Sequence, residues 1–195
     1  MKSNFLEIDI NNENIDYFIK HTKNLIKKCD KNNLVLKFNI SNIDNDIKLR
    51  DIKSIEKAIN LKNREDRYNY IYDTVCGYLD DRINKENYCE FKDDVCIRFR
   101  EENPNHKNGC CEWEGRGKCK YLIDSVCTMK TCMACKLFTC KYLYKHKNIR
   151  QRINDYVLIK YFFNRNQKYI LECSFWTPKD IVMKRLLANK YDIKK

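Results

Sequence analysis

Nine of the chain's 12 cysteines fall between Cys89 and Cys140. The informative run is Gly109-Cys110-Cys111, then Cys119-Lys-Tyr-Leu, then Cys127-x4-Cys132-x2-Cys135-x4-Cys140. A deprotonated thiol is a soft ligand that selects zinc or iron–sulfur over magnesium or calcium. Two sulfurs separated by two residues, as in Cys132-x2-Cys135, can meet one metal across a tight turn. Lys118, Lys120, Lys130 and Lys136 flank the sulfurs, and a neighbouring cation favours the thiolate. In a reducing compartment a cluster this dense points to metal ahead of a disulfide framework. Cys29, Cys76 and Cys173 stand apart and read as small buried hydrophobes, a common role for cysteine.

The order Cys-Cys, Cys-x2-Leu, isolated Cys, then Cys135-Lys136-Leu137-Phe138-Thr139-Cys140 resembles the YkgJ-type cysteine-cluster proteins, a zinc- or iron-chelating family. The resemblance covers about residues 89–140. The family's opening Cys-x2-Cys-x2-Cys-Cys is not reproduced, since Cys96 stands well before Cys110, and Lys136 and Thr139 replace its Arg and Pro. The resemblance implies a metal-chelating module without a generally assigned reaction; the candidate ligands are Cys110, Cys111, Cys119, Cys127, Cys135 and Cys140, with Cys132, Cys89 and Cys96 in reserve. Structural zinc usually shows two clear ligand pairs, and here there is one Cys-x2-Cys. The surplus of irregularly spaced thiols therefore places an iron–sulfur cluster, [4Fe–4S] in type, slightly ahead of zinc. Cys127, Cys132 and Cys135 also match three positions of a plant-type [2Fe–2S] loop, with Cys173 as a distant fourth, although three such spacings arise readily in so Cys-dense a segment.

The elements that must position these thiols come from hydrophobic periodicity. Leu6, Ile8 and Ile10 alternate in 5–10, and Leu34, Leu36, Phe38 and Ile40 alternate in 33–40, so each predicts a strand. Ile15, Phe18, Ile19, Thr22 and Ile26 predict a helix over about 14–29. Ile52, Ile55 and Ile59 predict another, and Tyr68, Ile71, Val75, Tyr78 and Leu79 a third over about 64–83. Periodicity fails from Tyr88 to Cys140, where Gly109, Gly115, Gly117 and Pro104 gather. Helical patterning resumes with Ile149, Ile153, Tyr156 and Val157, and 169–176 reads as a strand or a buried helical turn. Thr177, Pro178 and Asp180 suit the N-cap, N1 and N3 of a last helix, with Trp176 and Ile181 as a staple. No repeat of fixed period is evident. The fold class expected is mixed α+β: an α/β scaffold over 1–87, an irregular Cys-rich module over 88–142 and a basic helical region over 143–195, together one compact domain.

Composition limits the function. The formal net charge is +12 in 195 residues. Residues 141–195 hold fourteen Lys/Arg against four Asp/Glu, with Tyr156, Tyr161, Tyr169 and Trp176 interleaved, a mixture that suits nucleic acid or an acidic partner. Those charges do not fall on one helical face, so a solvated surface is the plainer reading. No stretch approaches the ~20 apolar residues of a membrane helix, and the start lacks an apolar leader core. A cytoplasmic protein with no membrane partner is expected. No phosphate loop, HExxH, nucleophile elbow or dinucleotide fingerprint occurs, and no catalytic residue is assigned. His106 reads as a loop residue and His146 as exposed. The function expected is a metal-binding protein in a structural, redox or accessory role with a protein partner. Its alternatives are a metal-dependent enzyme related to methyl transfer, and a zinc-stabilised nucleic-acid-binding protein.

Overall fold

The structure, a computed structural model, describes residues 4–86, 90–93, 95–105, 119–124, 126–127 and 132–189, with the backbone alone at 83–86, 91, 122, 126 and 127. The chain opens with strand β1 (Phe5–Ile10), helices α1 (Ile15–Lys20) and α2 (Thr22–Asn32), and strand β2 (Val35–Ile40). The two strands pair in parallel, Phe5 opposite Val35 through Ile10 opposite Ile40. Alternation does what it predicts: Leu36, Phe38 and Ile10 are buried, while Lys37 meets Glu7 at 3.3 Å and Asn39 meets Asp9 at 3.1 Å on the outer face.

The helix expected over 14–29 is broken at His21. The buried Thr22 turns its hydroxyl back to the carbonyls of Ile19 (2.8 Å) and Phe18 (3.3 Å), the local competition by which Thr bends helices. The second half runs on to Asn32 and stops at Asn33, which adopts a left-handed φ of 47°.

Helix α3 (Asp46–Asn60) packs beside β2 and completes it. Asn45 caps the helix by accepting from the Lys48 amide. At its other end Asn60 accepts from the Leu36 amide (2.8 Å) and donates to the Leu36 carbonyl (2.7 Å). Glu56 accepts from the Phe38 amide at 3.0 Å. Side chains of a helix thus stand where a third strand would, and the open edge of β2 is closed.

Helix α4 (Arg64–Glu86) begins after Asn63, whose side chain accepts from the Glu65 and Asp66 amides. Its buried positions, Tyr68, Ile71, Tyr72, Val75, Cys76 and Leu79, form a broad stripe. Beyond it come the hairpin of β3 (Phe91–Lys92) and β4 (Val95–Cys96), α5 (Ile97–Glu102), and the hairpin of β5 (Leu122–Ile123) and β6 (Val126–Cys127). Helices α6 (Met133–Leu137) and α7 (Lys141–His146) follow, then a 3-10 turn (Ile153–Asp155), α8 (Val157–Phe162), α9 (Arg165–Cys173) and α10 (Lys179–Ala188). The fold is mixed α+β. One buried cluster runs from Ile10 to Leu186 and draws on the first region, on Met133 and Leu137 of α6, and on α8 to α10.

Several expectations near the C-terminus are corrected. Residues 149–156 do not make a helix: Asp155 accepts from the Arg152 amide at 3.0 Å and closes a short 3-10 turn before α8. Of the two readings of 169–176, strand or helical turn, the helical one holds as far as Cys173, because Asn164 and Gln167 cap α9 reciprocally, at 2.9 and 3.0 Å. Gln167 is fully buried and donates to the Tyr68 hydroxyl at 2.9 Å. The last helix caps one residue later than expected, at Pro178, while the Thr177 hydroxyl donates to the Phe175 carbonyl. Among the described residues no helix is long and apolar enough to cross a membrane.

Asn60→Ala leaves both backbone groups of Leu36 without their partner. It should lower the unfolding free energy by about 1–3 kcal/mol, read as a shift in urea midpoint at unchanged slope.

Candidate metal centre

The best-defined thiols stand at the start of α6. Cys132 occupies its N-cap with extended backbone and is 1% exposed; Cys135 is half-buried. Their sulfurs lie 3.1 Å apart and share a hydrogen bond. The helix is anchored from below, where the Met133 amide donates to the Tyr72 hydroxyl of α4 at 3.1 Å. Burial raises the Tyr72 phenol well above its usual range, so it stays a neutral acceptor. The hydrogen bond from Cys135 does most to hold the Cys132 thiol well below its usual pKa, against burial, and the amides of Cys135, Trp176 and Thr177 help. Trp176 supports this with a left-handed φ of 52°. The Cys132 sulfur also lies 3.5 Å from the Ser174 carbonyl, a contact to which only the protonated thiol can donate.

Cys76 of α4 enters the same neighbourhood. It is remote in sequence, yet α4 packs on α6, and the charges of Cys132 and Lys136 both act on it. Burial pushes its thiol up to about 12 against the opposing pull of Lys136. Lys136 itself forms an ion pair with Asp80. The cation expected to assist the ligating sulfurs therefore acts on Cys76, and Cys132 is governed by hydrogen bonds. No local sequence signal links Cys76 to α6; only packing does.

The other candidates are placed as follows. Cys119 is buried just before β5, and Cys127 stands opposite Leu122 in the β5–β6 ladder. Cys140 is buried at the N-cap of α7, in a small apolar cluster with Leu143, Phe99, Tyr142 and Ile149. Cys96 is buried at the N-cap of α5. Cys89, Cys110, Cys111, His106, Lys118 and Lys130 lie outside the described residues. Among the described residues no three Cys, His, Asp or Glu side chains gather closely enough to hold one ion, so Cys119 and Cys140 do not join Cys132 and Cys135. Cys29 is fully buried in the core, as a small hydrophobe would be, but Cys173 is exposed at the end of α9, contrary to expectation. His146 is exposed and sits 2.6 Å from Glu102.

Two hairpins precede α6 in the chain and share a design. Phe91 faces Cys96 and Lys92 faces Val95; 31 residues on, Leu122 faces Cys127 and Ile123 faces Val126. Each turns at an aspartate in left-handed conformation, Asp93 (φ 52°) or Asp124 (φ 48°), a role Asp tolerates. The Asp-x-Val-Cys signature at both places is legible in the sequence. Each hairpin thus ends on a cysteine.

Compared with protein families, curated proteins and solved structures, the chain finds no match.

The raised thiol of Cys76 carries a pH dependence. Its unfolded thiol ionises near the ordinary value of 9.0, while the folded one keeps its proton to about 12. Its contribution is therefore complete below pH 9 and is lost as pH rises from 9 towards 12. The denaturation midpoint should fall between pH 9 and 11, and less steeply in Cys76→Ala. Equal slopes in the two proteins would show that Cys76 is not the group responsible.

Proposed function

We propose that the chain is a metal-binding cysteine-cluster protein, with Cys132 and Cys135 as the nucleus of the ligand set. The observation that supports this is the pair itself: two sulfurs 3.1 Å apart, one of them ringed by backbone amides. Amide donors of that kind steady a metal-bound thiolate and tune its charge. In tetrahedral zinc, Zn–S bonds of ~2.3 Å put the sulfurs about 3.8 Å apart, so the pair need open only slightly. Cys110, Cys111 and Cys127 are the proposed sources of the remaining ligands, on the strength of the resemblance to YkgJ-type proteins, and Cys119 and Cys140 would join only by moving towards the α6 pair. An iron–sulfur cluster stands ahead of zinc, since surplus thiols suit it. The metal would supply folding energy to a segment that contributes few residues to the core and would serve a structural, redox or accessory role in a reducing compartment such as the cytoplasm.

Anaerobic purification with elemental analysis and an absorption spectrum tests this. Wild-type protein should carry near-stoichiometric metal. Cys132→Ser and Cys135→Ser should each lose most of it, because a hydroxyl is a poor ligand for a soft metal, while Cys29→Ser should retain it. Full metal in both α6 variants, or metal-free protein in which Cys132 and Cys135 form a disulfide, would defeat the reading.

A further inference from the structure

Beside α6, between its C-terminal turn, the start of α7 and the end of α9, lies an open cleft of about 570 Å³, within the ~300–1,000 Å³ range of small-ligand sites. Its apolar floor includes Leu137 and Ile153, which are buried. The apolar surface a ligand would meet is aromatic: Phe138 is 44% exposed and Tyr144 55%, and Phe175 meets Phe138 edge-on at 6.3 Å. Lys141 and Arg150 stand at the same cleft, both exposed. They belong to a stretch, 141–152, with five Lys/Arg and no carboxylate. Glu172 is the acid among the lining residues.

A further observation points to a ligand. The side-chain oxygen of Gln151, another lining residue, is buried and accepts no hydrogen bond among the described residues. Its backbone is fixed, because the Gln151 amide donates to the Thr139 hydroxyl at 3.1 Å. A buried acceptor without a donor is costly, and a turn of the Gln151 amide into the cleft it lines lets a ligand N–H recover that cost.

We propose that this cleft binds a nucleotide unit, with its base against Phe138 and Tyr144, a base N–H near Gln151, and its phosphate at Lys141 and Arg150. Flat rings stack on aromatic side chains whatever their sequence, and cations beside them take the phosphate. An aliphatic ligand would leave the cations idle, and a bare anion would leave the aromatic rings and Gln151 unused. The unit arrives either as a free nucleotide or within a single strand. The cleft shares α6 with the proposed metal ligands but uses no thiol itself, so metal content and strand binding are read separately.

The full-length protein as purified is titrated into a labelled ten-nucleotide RNA strand, with fluorescence anisotropy as the readout and AMP or inorganic phosphate as competitors. Binding should weaken with salt at a log–log slope of about −0.7 per phosphate contact, hence about −1.4 for two. Tyr144→Ala and Arg150→Glu should each weaken it about tenfold or more, whereas Lys160→Glu, an exposed charge outside the cleft, should change it less than about twofold. Melting temperature and metal content, unchanged in these surface variants, separate a failed cleft from a failed fold or a failed metal site. AMP displacing the strand assigns the cleft to a free nucleotide; strand binding that AMP does not displace assigns it to a nucleotide within a strand. The proposal falls if neither binds, if inorganic phosphate competes as well as AMP, or if Lys160→Glu costs as much as Arg150→Glu.

Discussion

Helix α4 buries Ile71, Val75 and Leu79 completely, and Tyr68, Tyr72 and Cys76 almost so. A helix apolar over that much of its circumference must be covered from several sides. Here the covers are α3, α6, α8 and α10, which come from before and after the cysteine-rich stretch. The parallel strand pair is too small to organise a core by itself; it leans on α3, and α3 leans on α4. The position of the Cys132–Cys135 pair follows from the same demand, because α6 is fastened to α4 by the Tyr72–Met133 hydrogen bond and by the burial of Met133 and Leu137.

Cys76 and Cys132 are both nearly inaccessible to solvent and sit close enough to feel each other's charge, yet their thiol pKa values are pushed in opposite directions. Burial alone disfavours a thiolate, and at Cys76 it prevails over the attraction of Lys136. At Cys132 hydrogen bonds from Cys135 and the Trp176 and Thr177 amides outweigh it. Short-range donors aimed at a sulfur thus do what a nearby cation cannot. Thiol chemistry is thereby confined to the mouth of α6, and the core thiol behind it stays inert.

What could be read from the sequence was what depends on near neighbours. Strict alternation located β1 and β2 to within two residues, and the isoleucines of α3 and the aromatic and aliphatic stripe of α4 marked the helices that bear the core. The break at His21 depends on which carbonyl the Thr22 hydroxyl chooses, and periodicity does not register that choice. The cap of α9 was present as Asn164-x-x-Gln167 but was masked by the β-branched and aromatic look of 169–176. At the candidate centre, Cys132-x2-Cys135 was legible because both sulfurs belong to one turn of chain. The approach of Cys76 and the donors from 176 and 177 were not, since they are brought there by tertiary packing.

The covering of α4 also sets an order in time. Synthesis delivers β1 through α4 first, while the last cover, α10, follows roughly 100 residues later; at ~5–20 residues per second that is on the order of 5–20 s. For that interval the nascent chain carries a sheet already closed at its β2 edge by Asn60 and Glu56 beside a helix whose apolar stripe is partly bare. Edge-to-edge association through β2 is therefore discouraged, and the stripe on α4 is the apolar surface left bare until its later covers arrive.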